Sequence, residues 1–238
     1  MGYTFVLIHG SWHSGRAWDN VVERLNSLGH FAYAPTLAGH GPADDKGVTH
    51  AQCVDSVIDF VLQQQLEDFV LLGHSFGGTV IQAVAERIPD RIRRLVFHNA
   101  FVLRDGESLS DVIPNDAASM FEQLAKPDGG VPLPFPLFRD LFMNDADLET
   151  TKAAFATLSD TPRRTQTDKL TLKHFFDLEI PISYLNATDD FAAGHGGWVP
   201  GMAERLGFCR IVQMPGSHEL MFSNPALLAH KIVEAGRD

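Results

Sequence analysis

Apolar and polar positions along the chain alternate between two patterns. Four short continuous apolar runs have the length of buried strands: residues 5–8, 31–34, 69–72 and 95–98. Three segments beside these runs carry apolar residues at helical spacing: residues 17–28, the segment that follows Thr49, and residues 80–85. Because strands and helices alternate at these lengths, the pattern predicts a mostly parallel sheet that is covered by helices on both faces.

This alternation is interrupted in the middle of the chain. Residues 104–178 contain short amphipathic pieces, including a predicted helix at 147–158, and a run punctuated by prolines at 131–138. The Phe and Leu side chains of that run either line an apolar substrate tunnel or form a packed core of their own. We therefore expect one domain overall, in which residues 1–103 and 179–238 form the α/β core and residues 104–178 form an inserted helical cap.

The last part of the chain returns to the alternating pattern. It predicts, in order, a strand at residues 182–187, a helix at 199–206, a strand at 210–214 and a closing helix whose apolar face includes Leu227, Leu228, Ile232 and Val233. A polar loop follows each of these two strands.

Composition favours a globular protein with a small-molecule partner. The chain has 238 residues, 45% hydrophobic content and a formal net charge of −11. That charge repels nucleic acid and an anionic membrane surface, so we expect neither as a partner. The apolar runs are only strand-length and carry no basic leader, so we expect a cytoplasmic location. Cys53 and Cys209 are the only cysteines, and we expect both to be free thiols. The sequence leaves the oligomeric state, including a homodimer, open.

The first candidate for chemistry is a Gly-x-Ser-x-Gly motif between an apolar run and an amphipathic segment. This context predicts a strand, a tight turn and a helix, with Ser75 in the turn as the nucleophile. Gly73 and Gly77 leave room for the helix to pass close to the strand. The backbone N–H of Phe76 then lies at the helix N-terminus, where it stabilises negative charge on a reacting oxygen.

A serine hydroxyl needs a base to attack a carbonyl at neutral pH, and the base needs an acceptor that fixes its tautomer. In a fold of this kind the acid follows the serine along the chain, and the histidine follows the acid. Asp189 and Asp190 come directly after the next-to-last predicted strand, and His218 is the only histidine in the loop after the last one. The order predicts a triad of Ser75, His218 and one of these two aspartates.

Together these motifs resemble the α/β-hydrolase superfamily, within the branch of plant methylesterases and hydroxynitrile lyases and their bacterial relatives that hydrolyse pesticide esters and carbamates. The resemblance rests on Phe5-Val6-Leu7-Ile8-His9-Gly10 with Trp12 and Gly15, Gly73-His74-Ser75-Phe76-Gly77-Gly78, Ala187-Thr188-Asp189-Asp190 and Gly216-Ser217-His218. It implies an α/β-hydrolase fold and an esterase-like activity that needs no cofactor.

The same resemblance assigns individual roles. The branch's acid is the last residue of a Thr-x-Asp triplet, which favours Asp190 over Asp189. The second oxyanion donor comes from the backbone just after His-Gly, which here is Ser11, paired with Phe76. His9 resembles the histidine that stabilises this loop, so its expected role is structural.

Other activities on this scaffold remain as alternatives. The hydroxynitrile lyases of the branch carry a threonine and a lysine where this chain has Gly10 and Glu219, and the reversed charge of Glu219 disfavours a lyase. A cofactor-free oxygenase would also retain the serine and the histidine. A ligand receptor with little turnover often lacks a triad residue, whereas all three are present here. Turnover of a simple aryl ester separates the hydrolase from both.

A metal site is not expected, although the chain has eleven histidines. His9 and His13 have i, i+4 spacing, but they lie in a glycine-bracketed loop without the glutamate of a helical His-Glu-x-x-His motif. After the acid loop, His195 and Trp198 either reach the pocket or belong to a solvated loop and to helix packing, with the second interpretation favoured.

The sequence thus predicts hydrolysis of a small ester, lactone or carbamate, apolar or aromatic in character, through an acyl-enzyme. Because His218 must be neutral to act as a base, activity is expected to rise through the histidine range of pH and then reach a plateau.

Overall fold

The computed structural model describes residues 2–193 and 197–238. Its strands are β1 (Thr4–Ile8), β2 (Phe31–Tyr33), β3 (Phe69–His74), β4 (Ile92–His98), β5 (Gly130–Val131), β6 (Thr161–Pro162), β7 (Ile182–Ala187) and β8 (Arg210–Met214). Six of them form one sheet in the order β2-β1-β3-β4-β7-β8. Every neighbouring pair in that sheet is parallel, which confirms the predicted sheet type.

Helices follow most of the strands. They are α1 (Asp19–Ser27), α2 (His50–Gln63), α3 (Gly77–Arg87), α4 (Asn115–Leu124), α5 (Phe135–Leu137), α6 (Leu148–Phe155), α7 (Arg164–Thr167), α8 (Leu220–Ser223) and α9 (Pro225–Gly236). Thr49 caps α2: its hydroxyl accepts from the N–H of Gln52, and the Gln52 side chain accepts from the N–H of Thr49. No helix in the described ranges is both long and apolar enough to cross a membrane.

The central strands of the sheet, β1, β3, β4 and β7, bury both of their faces, whereas the edge strands β2 and β8 are partly exposed. Val6 and Ile8 of β1 pack in a cluster with α2 and α3, whereas Phe5 and Leu7 pack on the opposite side with α1 and α9. Successive side chains of a strand point to opposite faces, so a strand covered on both sides has to be apolar throughout. This explains the continuous apolar runs in the sequence and confirms that helices cover both faces.

Residues 104–178, the cap segment, connect β4 to β7 and hold a small core of their own. That core contains Phe121, Val131, Leu133 and Phe138, with Trp12 of the loop after β1 packed among them. The indole N–H of Trp12 donates to the carbonyl of Val131 at 2.8 Å, which ties the segment to the sheet. Most of the proline-punctuated run is therefore packing. The division into a core and an inserted cap stays a prediction.

The strand order reverses at β1. β2 lies on one side of β1 and β3 on the other, so the loops after β1 and β3 diverge and leave a crevice at the carboxyl end of the sheet. In open parallel sheets, ligands bind at such a point. The Gly-x-Ser-x-Gly motif and the His-Gly loop both lie there.

One predicted element is irregular. In place of a regular helix at residues 199–206, the helical element Gly197–Met202 is kinked at Val199, which is extended, with φ −126° and ψ 125°. A residue that precedes proline is pushed out of the helical region because its backbone would clash with the proline ring, and Pro200 follows Val199. The apolar spacing was correct, but the proline overrides it.

Both cysteines are free, as predicted. Cys53 is buried in the α2 side of the core, and burial raises its pKa to about 12. It packs as a small apolar side chain.

Candidate active site

Ser75 lies at the sharp turn between β3 and α3. Its backbone is in the left-handed region, with φ 54°, which is uncommon for a residue with a side chain. The turn is close-packed: a Cβ on Gly73 would lie 2.4 Å from the carbonyl oxygen of Gly77, and one on Gly77 would lie 2.8 Å from that of Ile8. Only glycine fits at these two positions, and they hold Ser75 above the sheet.

Asp190 and His218 form a buried pair in the loops after β7 and β8. Oδ2 of Asp190 accepts a hydrogen bond from Nδ1 of His218 at 2.6 Å, and the two side chains are 0% and 2% exposed. Asp189 is exposed instead, and its carboxylate accepts from the N–H of Gly216. The structure therefore places Asp190, rather than Asp189, against the imidazole.

Asn99, at the end of β4, holds the carboxylate of Asp190. Its amide donates to Oδ2 of Asp190, and its own oxygen accepts from the N–H of Ala187 at 2.7 Å. The N–H of Ala192 donates to the other oxygen, Oδ1, at 2.8 Å. Sequence reasoning missed Asn99. The available signal was a polar residue directly after an apolar strand that neighbours the strand of the acid.

The loop after β1 brings a second backbone N–H toward Ser75. A Cβ on Gly10 would lie 3.0 Å from the Cβ of Ser75, so the two chain segments are in close contact. Within the part of the chain that the structure describes, no acceptor bonds to the N–H of Ser11 or to that of Phe76. Buried backbone N–H groups normally have a partner. Both are thus available to a ligand.

His218 is enclosed by aromatic rings. The indole of Trp198 stacks on the imidazole with centroids 5.5 Å apart and planes 15° apart, and the ring of Phe142 meets it edge-on at 5.0 Å. Trp198 also lines the pocket, so the interpretation as helix packing alone is wrong. His195 lies outside the described residues.

The environment of His218 favours its protonated form. Burial lowers the pKa of this imidazole, but the charge and the hydrogen bond of Asp190, with a further contribution from the charge of Glu219, outweigh burial. The pKa of His218 is consequently raised above its usual value of 6.5.

Five other histidines near the site are buried and neutral. Burial is the largest cause in each case: it lowers the pKa of His9 and His74 well below the usual range, and it lowers the pKa to about 4 for His40, His50 and His98. His9 accepts at Nε2 from the N–H of Leu37 at 3.1 Å, which is the loop-bracing contact that the resemblance implied. His74 donates to the carbonyl of His218 at 3.0 Å.

A pocket opens over Ser75 and His218. The space free of atoms amounts to about 660 Å³, a figure that includes the solvent at the open mouth of the pocket. The cap segment supplies most of its wall, and nearly all of those side chains are apolar: Leu109, Ile113, Pro114, Ala117, Met120, Phe121, Leu137, Leu141 and Phe142, with Gln166 as the exception. The site therefore combines polar groups at the bottom of the pocket with an apolar wall.

Comparison with protein families gives a match over nearly the whole chain. The model of the alpha/beta hydrolase family matches residues 5–231. One solved structure superposes with a TM-score of 0.96 and 44% identity, covering 99% of this chain and 100% of its own. It is described as an extracellular alpha/beta-hydrolase from a Paenibacillus species with structural and functional homology to tobacco salicylic acid binding protein 2. The cytoplasmic location expected from the sequence stays a prediction.

Two curated relatives carry hydrolase names. A pyrethroid hydrolase from Sphingobium wenxiniae is 29% identical over 96% of this chain and 86% of its own length. A carbendazim hydrolyzing esterase from Nocardioides sp. is 38% identical over 46% of this chain. That match spans 47% of the length of the esterase, about half of it. The resemblance stated from the sequence is confirmed at the level of the family and of its ester-hydrolysing relatives.

Proposed function

Since this chain belongs to the alpha/beta hydrolase family, we propose that it is a serine hydrolase that cleaves a small carboxylic ester, lactone or carbamate through an acyl-enzyme. The observation that carries the proposal is the buried His218–Asp190 pair, which shares one apolar pocket with Ser75. An activated serine of this kind is the basis of acyl transfer on several unrelated folds.

Each residue has a definite part in the proposed reaction. His218 takes the proton of the Ser75 hydroxyl while the oxygen attacks the substrate carbonyl. Asp190 accepts from Nδ1 of His218, so Nε2 is left free to act as the base, and the carboxylate stabilises the imidazolium that forms. The proton then passes to the leaving alcohol. Water repeats the sequence and releases the acid.

Negative charge develops on the carbonyl oxygen during attack. The N–H groups of Ser11 and Phe76 are the proposed donors to that oxygen, and the supporting observation is that both are without an acceptor among the described residues. Each well-placed donor of this kind stabilises the transition state by about 2.7 to 4 kcal/mol. Phe76 immediately precedes α3, whose N-terminal dipole adds to the effect.

The substrate class follows from the pocket. Its apolar wall supports an ester with a hydrocarbon or aromatic group, and the names of the related pyrethroid hydrolase and carbendazim hydrolyzing esterase agree with such substrates. A lyase activity is still disfavoured, because Gly10 lies where the lyases have threonine and Glu219 does not line the pocket.

The test is covalent labelling. Intact mass is measured after treatment with a fluorophosphonate, on the unaltered chain, on Ser75→Ala, and on Ser27→Ala as a matched control at an exposed helical serine. Turnover of an aryl acetate is followed alongside. We expect one adduct and turnover in the unaltered chain and the control, and neither in Ser75→Ala. A folded protein with no adduct and no turnover would overturn the proposal and favour a ligand receptor or an oxygenase.

A further inference from the structure

A buried pair of titratable side chains lies directly behind the pocket. Nε2 of His13 is 3.2 Å from Oε2 of Glu219, and the two side chains are only 3% and 1% exposed. Among the described residues, neither oxygen of this carboxylate has a hydrogen-bond partner, nor has Nε2 of His13, so the 3.2 Å contact joins the two side chains by charge without hydrogen-bond geometry. Neither residue lines the pocket, so the pair does not touch the substrate. A carboxylate buried in this way is costly unless it is paired, and His13 is its ion-pair partner.

The hydrogen positions follow from the acceptors. Nδ1 of His13 is 2.7 Å from the carbonyl oxygen of Ser11, and a carbonyl only accepts, so Nδ1 carries a hydrogen and donates it. Without a proton between them, a bare Nε2 and an ionised carboxylate would be two acceptors facing each other at 3.2 Å. One proton between Nε2 and Oε2 removes that conflict. The charge contact with Glu219 and the hydrogen bond to Ser11 then form one chain of contacts through His13.

This chain of contacts joins two distant parts of the sheet. His13 lies on the loop after β1 and Glu219 on the loop after β8, and three strands separate β1 from β8 in the sheet. Glu219 directly follows His218, and its own N–H is held by the carbonyl of Phe142 at 3.2 Å. The pair therefore ties the carbonyl of Ser11 to the loop that carries His218.

We propose that Glu219 and His13 are positioning residues that hold the Ser11 N–H in place for the oxyanion. This inference rests on the proposed function, because it takes the Ser11 N–H as an oxyanion donor. It assigns a use to the position at which the lyases of the branch carry lysine: in this chain the side chain supports the oxyanion loop from behind instead of facing a leaving group.

The charge of Glu219 has a second, separable effect. It raises the pKa of His218, after burial and Asp190, and it also opposes the much larger lowering of the pKa of His98 by burial. The titratable groups packed around the pair are His74, His98 and His218, with Asp190 beyond His218.

Two substitutions at Glu219 separate position from charge. The amide of Glu219→Gln donates to the bare Nε2 of His13, so the loop stays in place, and kcat should remain within about threefold of the unaltered enzyme. Its pH profile should begin to rise at a lower pH, because the charge that raises the pKa of His218 is gone. Glu219→Met has nearly the same volume but no polar contact. We expect its kcat to fall about ten- to a hundredfold with little change in KM, since a misplaced oxyanion donor weakens only the transition state.

The double variant His13→Leu/Glu219→Met protects the test against misfolding. Replacing a buried ion pair by apolar side chains is often neutral or stabilising, so we expect a Tm equal to or above that of the unaltered protein, together with the same loss of kcat as in Glu219→Met. A stable double variant with full kcat would overturn the inference. If the pair contributed only to stability, the stable double variant would keep its full kcat.

Two controls complete the experiment. Asp145→Asn removes bonds to Ser217 on the same loop without touching the pair, so it reports general loosening of the loop. Asp19→Asn removes a charge at an exposed site, and its pH profile should not move. Turnover by the Ser75→Ala variant would contradict the proposed function itself. An unchanged kcat in Glu219→Met, with Ser75→Ala inactive, would contradict only the positioning role.

Discussion

The floor and the roof of the pocket are built by different parts of the chain and in different ways. The floor consists of Ser11, Ser75, Phe76, Asp190 and His218, all on loops at the carboxyl ends of strands. Its polar groups are fixed by hydrogen bonds, such as those that hold Asp190 on three sides. The roof is the wall supplied by the cap segment, which is apolar apart from Gln166.

This difference separates the reaction from the choice of substrate. In the proposed reaction, the groups that meet charge in the transition state lie on the floor, where each is anchored by the sheet. Groups that meet the rest of the substrate lie on the roof, where apolar contacts tolerate exchange. We therefore expect floor variants to lose kcat and roof variants to change KM and substrate preference.

The largest effect is expected for the acid of the floor. Asp190→Asn keeps the shape but no longer fixes the tautomer of His218, and in a serine protease the equivalent change lowers kcat about 10⁴-fold. Asp189→Asn should stay near the unaltered rate, because that side chain only bonds a loop N–H. Steady-state kinetics on both variants, with circular dichroism to check folding, decides between the two aspartates. A larger loss in Asp189→Asn would show that the acid is assigned one residue too late.

A smaller loss is expected for Asn99→Ala, which removes a support rather than the acid. Asp190 loses a donor and the N–H of Ala187 loses its acceptor. Leaving such buried groups unpaired costs about 1 to 3 kcal/mol each, so denaturant unfolding should show a drop in stability of a few kcal/mol. A fall in kcat of about ten- to a hundredfold should accompany it. Unchanged kcat at reduced stability would make Asn99 a fold residue only.

The pH profile of kcat/KM tests the electrostatics of the floor. His218 acts as a base only when neutral, so the rate should rise about tenfold per pH unit on the acid side and level off above the pKa. Because that pKa is raised, the midpoint should lie above 6.5. A rate that declines from pH 5 to pH 8 would contradict the role of His218.

The smallest effect is expected on the roof. Gln166 is 5% exposed and lines the pocket, and its side-chain amide makes no hydrogen bond within the described ranges. In Gln166→Leu we expect KM to fall severalfold for a purely hydrocarbon ester and to rise for an ester with a hydroxyl or carbonyl substituent, with kcat nearly constant. KM values for a matched pair of such esters measure this. A change in kcat without a change in KM would contradict this and would show that Gln166 acts on the reacting groups, as the floor residues do.

The sequence predicted the parts of the molecule that depend on neighbours in the chain. The turn at Ser75 is a local event, set by Gly73 and Gly77, and the helix after Thr49 is set by its own cap. The strands were recognised because both faces of the sheet are covered. β4 begins at Ile92, three residues before the predicted start. The charged residues Arg93 and Arg94 interrupt the apolar pattern there, because their guanidinium groups reach solvent or Ser183.

Contacts between distant residues that belong to no motif were not predictable. Asn99 reaches Asp190 across 91 positions of sequence, and no periodic pattern marks such a pair. His13 and Glu219 were each noticed, one for a metal spacing and the other for its charge, but their contact requires the arrangement of the whole sheet. For Trp198, packing was favoured over contact with the pocket, and its place in the pocket wall depends on the kinked element Gly197–Met202.

The five buried neutral histidines also make the stability of the protein depend on pH. A buried imidazole with a low pKa takes up its proton only when the chain unfolds, so acid draws the molecule toward the unfolded state as pH falls below 6.5. Burial lowers the pKa of three of them to about 4, so this loss of stability should grow from pH 6.5 down to about pH 4. We therefore expect the packing that shapes the site to make the molecule less stable in acid.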